Sequence, residues 1–112
     1  MSQLDEKIAA YAAEAKKLNL SIDEKLLASV TKGLGPSIYK ADAEVVSGGD
    51  QAELDLVKNN FLIKKLGLAD SPALDEAIHE VVDKLGKSNK HKYRAIFYTL
   101  LVEKFKKQSV YA

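Results

Sequence analysis

Residues 92–105, K-Y-R-A-I-F-Y-T-L-L-V-E-K-F, constrain the fold more than any other stretch of this chain. Tyr93, Phe97, Leu101 and Phe105 recur every four residues, and Ile96 and Leu100 fill the adjoining row, giving one wide apolar stripe at helical period. Ala95, Tyr98 and Val102 carry apolar character onto a second flank. A helix that is apolar on more than one side must be covered from several directions, so the pattern predicts a central helix with the other segments laid around it.

Those segments read as shorter amphipathic helices. Ser2 is an expected N-cap, with Asp5 and Glu6 in the first turn, where the helix dipole favours acids. Leu4, Ile8, Tyr11 or Ala12, Ala15 and Leu18 then keep helical spacing. Ser21-Ile22-Asp23-Glu24 has the form of a capping box, predicting a second helix over 22–32 that Gly33 stops. In G-L-G-P-S-I-Y, at 33–39, two glycines and a proline predict a tight corner, with Leu34, Ile38 and Tyr39 as core plugs. Periodicity dissolves over 41–50, where Ser47-Gly48-Gly49 reads as a flexible loop and Val45-Val46 is too short to carry a sheet.

Asp50-Gln51-Ala52-Glu53 repeats the capping pattern and predicts a helix running to Leu66, closed in Schellman fashion by Gly67 and Leu68. Ser71-Pro72 opens a further helix through Leu85, which Gly86 ends, and Ser88 or Asn89 is expected to cap the last one, over about 89–107. The expectation is an all-α fold: a single domain over 1–112, a compact bundle or array of about five helices with the last one central.

Composition removes several classes of function. With no cysteine there is no disulfide, thiolate zinc site or thiol nucleophile. M-S-Q-L-D-E-K has early acids and no apolar h-region, so no signal peptide is expected there. The longest nearly apolar run, 95–102, falls far short of the roughly 20 residues that span a membrane. No membrane partner is expected, and the chain reads as soluble and cytoplasmic.

Net charge is only +1, but the charges are segregated. Asp70, Asp75, Glu76, Glu80 and Asp83 lie in a segment without Lys or Arg, whereas Lys87, Lys90, Lys92, Arg94, Lys104, Lys106 and Lys107 follow with Glu103 as the single acid. The patch 87–94, K-S-N-K-H-K-Y-R, is the leading functional candidate. Cations in the first turn of a helix oppose its dipole, so stability alone does not select them there. Lys87, Ser88, Asn89, Lys90, Lys92 and Arg94 around free helix N-terminal amides would form an anion site for a nucleic-acid backbone or a phosphorylated ligand. The bland alternative is a set of solvated lysines, or lysines paired with the acidic helix before them. A second reading is a self-associating interaction protein, the acidic helix 72–85 of one copy set against the basic corner of another.

Signatures of catalysis fail on inspection. Gly86-Lys87-Ser88 lacks the glycine a phosphate loop needs five residues earlier, where Val81 stands, and a helix precedes it. Gly33-Leu34-Gly35 lacks the third glycine of a dinucleotide fingerprint, where Ile38 stands. Asp75, His79 and Asp83 lie four apart on one helix face, a weak metal or general-base candidate with no fourth group, and more simply an exposed acidic face. His91 has no identified partner, and no triad assembles around Ser37, Ser88 or Ser109. No cofactor is expected, and the chain reads as a binding module rather than an enzyme.

Three phrases carry a resemblance: G-L-G-P-S-I-Y-K-A-D at 33–42, V-K-N-N-F-L-I-K-K-L-G-L at 57–68 and S-N-K-H-K-Y-R-A-I-F-Y-T-L-L at 88–101. On these the chain resembles a group of small bacterial proteins known only as a domain of unknown function, over nearly its whole length. The group tends to read S-N-R-N-K-Y-R where this chain has Lys90 and His91, so a role needing an arginine or an amide at those positions does not carry over. The resemblance implies a small, soluble, helical protein, and brings no activity, cofactor or catalytic residue with it.

Overall fold

The computed structural model describes residues 2–111; the expected domain bounds, 1–112, reach one residue further at each end. Among the described residues six α-helices, one π-helical segment and two 3-10 turns succeed one another without a strand, in an all-α fold with a radius of gyration of 13.0 Å.

Helix α1 (Gln3–Lys17) begins as its sequence dictates: the Ser2 hydroxyl accepts from the Asp5 amide at 3.2 Å, and Lys16 and Lys17 close the last turn. It buries Tyr11 and Ala15. Helix α2 (Glu24–Leu34) departs from the expected capping box. Asp23, not Ser21, is its N-cap, taking the amides of Lys25 and Leu26 at 2.9 and 3.4 Å. The carboxylate reaches two donors at once, which the serine two residues earlier does not. Helix α2 also runs past Gly33 and stops at Gly35, whose φ of 63° needs a glycine. In the 3-10 turn that follows (Gly35–Tyr39), Ile38 plugs the core as expected, whereas Tyr39 lies 47% exposed.

The stretch without periodicity contains one helical turn, α3 (Ala41–Glu44), and then Val45 in extended conformation. Val46 donates its amide to Lys92 O at 2.8 Å, and Val45 forms an isolated antiparallel bridge with Tyr93. Helix α4 (Gln51–Leu56) is capped by Asp50, which accepts from Ala52 and Glu53. The expected continuous α-helix to Leu66 then changes register. Val57–Lys65 is a π-helix, and the Leu66 amide reaches five residues back to Phe61 O at 2.9 Å. The apolar spacing explains it: Val57, Phe61, Leu62 and Leu66, all buried, lie four and five apart, and only the wider turn keeps them on one face. Gly67, at φ 73°, ends the segment, with Leu68 donating to Leu62 O in a widened Schellman closure.

Helix α5 (Pro72–Leu85) starts on the expected proline and ends at Gly86, φ 98°. Its buried face is Leu74, Ala77, Ile78, Val81, Val82 and Leu85. Helix α6 (Arg94–Lys104) is the central element the periodicity required: every residue from 95 to 102 is buried, and α1, α2, α3 and α5 all touch it. Each fully buried Leu, Ile or Phe adds roughly 1.5–3 kcal/mol of transfer free energy, so this one helix dominates the core. Thr99, wholly buried, returns its hydroxyl to Ala95 O at 2.7 Å. The helix is nevertheless shorter than the expected 89–107. It begins at Arg94, with Tyr93 (φ −58°, ψ 130°) at the cap position and no side-chain cap, and the carbonyl of Lys92 is taken by the Val46 amide rather than by a helical turn. A final 3-10 turn, Gln108–Tyr111, folds back toward α2.

Candidate functional site

The six residues of the expected anion site do not gather around a helix N-terminus. Five of them occupy the loop between α5 and α6, Arg94 opens α6, and together they divide into an inner and an outer set. Asn89 is the local organiser. Its Nδ2 donates to Leu85 O at 2.9 Å, capping α5, while its Oδ1 accepts the His91 amide at 2.9 Å. Neither Asn89 nor Ser88 caps α6.

Lys92 is also turned inward. It is only 3% exposed, and Nζ donates to Lys87 O at 3.1 Å and Asn89 O at 2.6 Å with no carboxylate beside it. Burial pushes its pKa below the ordinary lysine value. Its stem passes beneath the 47–49 loop, where a β-carbon on Gly48 would stand 3.1 Å from Lys92 Cε and from Val82 Cγ1.

Arg94 holds the remaining elements together. Nε donates to Ala43 O at 2.8 Å, Nη1 to the Tyr98 hydroxyl at 2.8 Å, and Nη2 to Val45 O at 3.4 Å and to Glu53 Oε1. Burial opposes its charge, but the Tyr98 hydroxyl and the Glu53 carboxylate outweigh that cost, and its pKa stands above the ordinary value. All three of its nitrogens are thus engaged within the protein, so Arg94 braces the corner rather than offering a cation to a ligand.

The outer set is Lys87, Ser88 and Lys90, with His91 beside them, all exposed. Lys87 reaches Asp83 at 3.5 Å, a solvent-facing pair of small energetic weight, while Lys90 meets no carboxylate. In a trans peptide the carbonyl and the following N–H point opposite ways. The Lys87 and Asn89 carbonyls converge on Lys92 Nζ, so the N–H groups of Ser88 and Lys90 are directed away from it. Among the described residues neither amide has a protein acceptor. Sequence reading picked out the segment but not this division, because what turns Lys92 inward is the loop some forty residues earlier.

The other candidates disperse. Asp75 binds Lys58 at 3.3 Å, Asp83 faces Lys87, and His79 is exposed; among the described residues no three His, Asp or Glu side chains come together as metal ligands. The acidic segment 70–83 is also largely matched within one molecule, through Asp70 and Asp75 with Lys58, Glu80 with Lys104, and Asp83 with Lys87. That leaves less charge for a second copy to meet. A partly buried cluster that spacing did not reveal joins α1 to α3: Tyr11 donates to Glu44 Oε2 at 2.6 Å and Lys7 Nζ to the same oxygen at 2.7 Å. Burial first, then the Glu44 carboxylate, push the Tyr11 hydroxyl pKa far upward.

Fold and surface together define a small all-helical protein built around one buried helix, with a braced polar corner between α5 and α6. Among the described residues no helix is long and apolar enough to cross a membrane. The chain belongs to the family described as Protein of unknown function (DUF2853), whose model matches residues 10–109. No match was found among curated proteins.

Proposed function

We propose that this is a non-enzymatic binding module whose corner at 87–91 takes a phosphate-bearing partner, either a nucleic-acid backbone or a phosphorylated ligand. One observation carries the reading: Lys92 draws the Lys87 and Asn89 carbonyls inward, leaving the Ser88 and Lys90 amides outward and unpaired. Free outward amides beside ammonium groups suit an anion, and fixing them in advance lowers the ordering cost of binding. The ligating set is therefore narrower than composition implies: Lys87, Ser88 and Lys90 contact the anion, while Asn89, Lys92 and Arg94 hold the loop in shape.

The test is an amide-shift titration of labelled protein with inorganic phosphate, a short RNA and a short DNA at low salt. Shifts centred on the Ser88 and Lys90 amides that fade as salt rises, and that Lys90→Glu removes, support the reading. A spectrum silent at these amides with all three ligands refutes it.

A further inference from the structure

A second site lies where the π-helix meets the C-terminal turn, and it shares no lining residue with the corner. Leu34, Asn60, Phe61, Lys65, Tyr98 and Tyr111 surround an open cleft of about 210 Å³. Its floor is rigid. Phe61 and Tyr98 stack with ring centroids 3.8 Å apart and planes 16° from parallel, both at least nine-tenths buried, and Arg94 fixes Tyr98 by its hydroxyl. Tyr111 forms a wall against Gly33, where a β-carbon would sit 3.3 Å from its ring, and Lys65 Nζ stands 5.3 Å from the centre of that ring.

The π-register builds the polar rim. With bonds five residues apart, Asn60 and Lys65 fall on the same side of the helix, which an α-helix would have splayed. The Asn60 amide makes no hydrogen bond within the described residues, Lys65 joins no ion pair, and no carboxylate lines the cleft. Ring faces and edges favour a planar aromatic guest. A cavity of about 150 Å³ accepts benzene, so this one takes a single ring with one small substituent. An ammonium and an amide without a competing acid select a negative substituent.

We infer that this cleft binds a single-ring aromatic anion, the ring held among Phe61, Tyr98 and Tyr111 and the charge by Lys65 and Asn60. Benzoate and phenyl phosphate are the probes, with benzyl alcohol as the neutral control, followed by amide shifts of the full chain. Both anions are expected to move the Asn60, Phe61, Lys65 and Tyr111 amides more strongly than the alcohol does, and whichever binds tighter identifies the preferred substituent. Lys65→Gln, at an exposed position, weakens the anions by roughly fivefold and leaves the alcohol unchanged. Tyr111→Ala, in the terminal turn, weakens all three. Shifts scattered over the surface, or an anion affinity that Lys65→Gln does not alter, overturn the assignment.

Discussion

Arg94, the first residue of α6, bonds through Nη2 to Glu53, forty-one residues earlier in α4, with both side chains largely withdrawn from solvent. The same guanidinium takes the Ala43 and Val45 carbonyls and the Tyr98 hydroxyl, so one side chain ties α3, α4 and the extended link between them to the central helix. Removing one partner of such a pair strands the other. Arg94→Met is expected to destabilise the fold by about 3–4 kcal/mol, and Glu53→Gln, which keeps a neutral acceptor, by about 1–2 kcal/mol. Urea unfolding measures both. Equal losses for the two variants would mean the carbonyl contacts carry no weight.

Gly48 and Gly49 are adjacent but not equivalent. A methyl at Gly48 meets Lys92 Cε and Val82 Cγ1, both at 3.1 Å, whereas at Gly49 nothing lies within 4 Å. Gly48→Ala should cost about 1 kcal/mol as the lysine stem is displaced, and Gly49→Ala should stay within about 0.5 kcal/mol of the parent. Comparing the two denaturation midpoints checks this directly, since a general loop effect would move both alike.

Three tyrosines set the alkaline limit. Burial is the largest cause raising Tyr11, Tyr98 and Tyr111 above the ordinary value of 10.0, with Tyr111 pushed up to about 12. The unfolded chain loses these protons first, so the folded state binds more of them and stability falls as pH rises past 10.0. Lys92 acts in the opposite sense: its lowered pKa makes stability rise with pH up to its unfolded value of 10.5. Three tyrosines outweigh one lysine, and the net is a loss. Unfolding free energies at about pH 8 and about pH 11 are predicted to differ less in Tyr11→Phe than in the parent.

Asn89 joins the end of α5 to the corner by two hydrogen bonds, and alanine removes both. A stability loss of about 1–2 kcal/mol is expected, with faster amide exchange over 87–91. If exchange there is unchanged, Asn89 is not what organises the loop.

The sequence by itself determined the helical class and the identity of the central helix. Phe97, Leu101, Ile96 and Leu100 repeat at helical spacing, and Ala95, Tyr98 and Val102 leave no polar face between residues 95 and 102, so only a fully covered helix can bury them. Caps made by near neighbours were legible as well: Ser2, Asp50, Gly67 and Gly86 act within a turn of themselves. The wider turn of 57–65 was written in the four-and-five spacing of Val57, Phe61, Leu62 and Leu66, but that spacing resembles an ordinary helix until the face it must meet is known.

Tertiary structure alone decided the fate of the charges. Lys92, Arg94 and Lys90 are close in sequence and share the same formal charge; the first is buried under Gly48, the second is held by four acceptors, three of them from distant segments, and the third is left in solvent. A cation's role depends on which carbonyls and carboxylates surround it. Those around Arg94 come mostly from positions more than forty residues away, a separation at which local pattern carries no information.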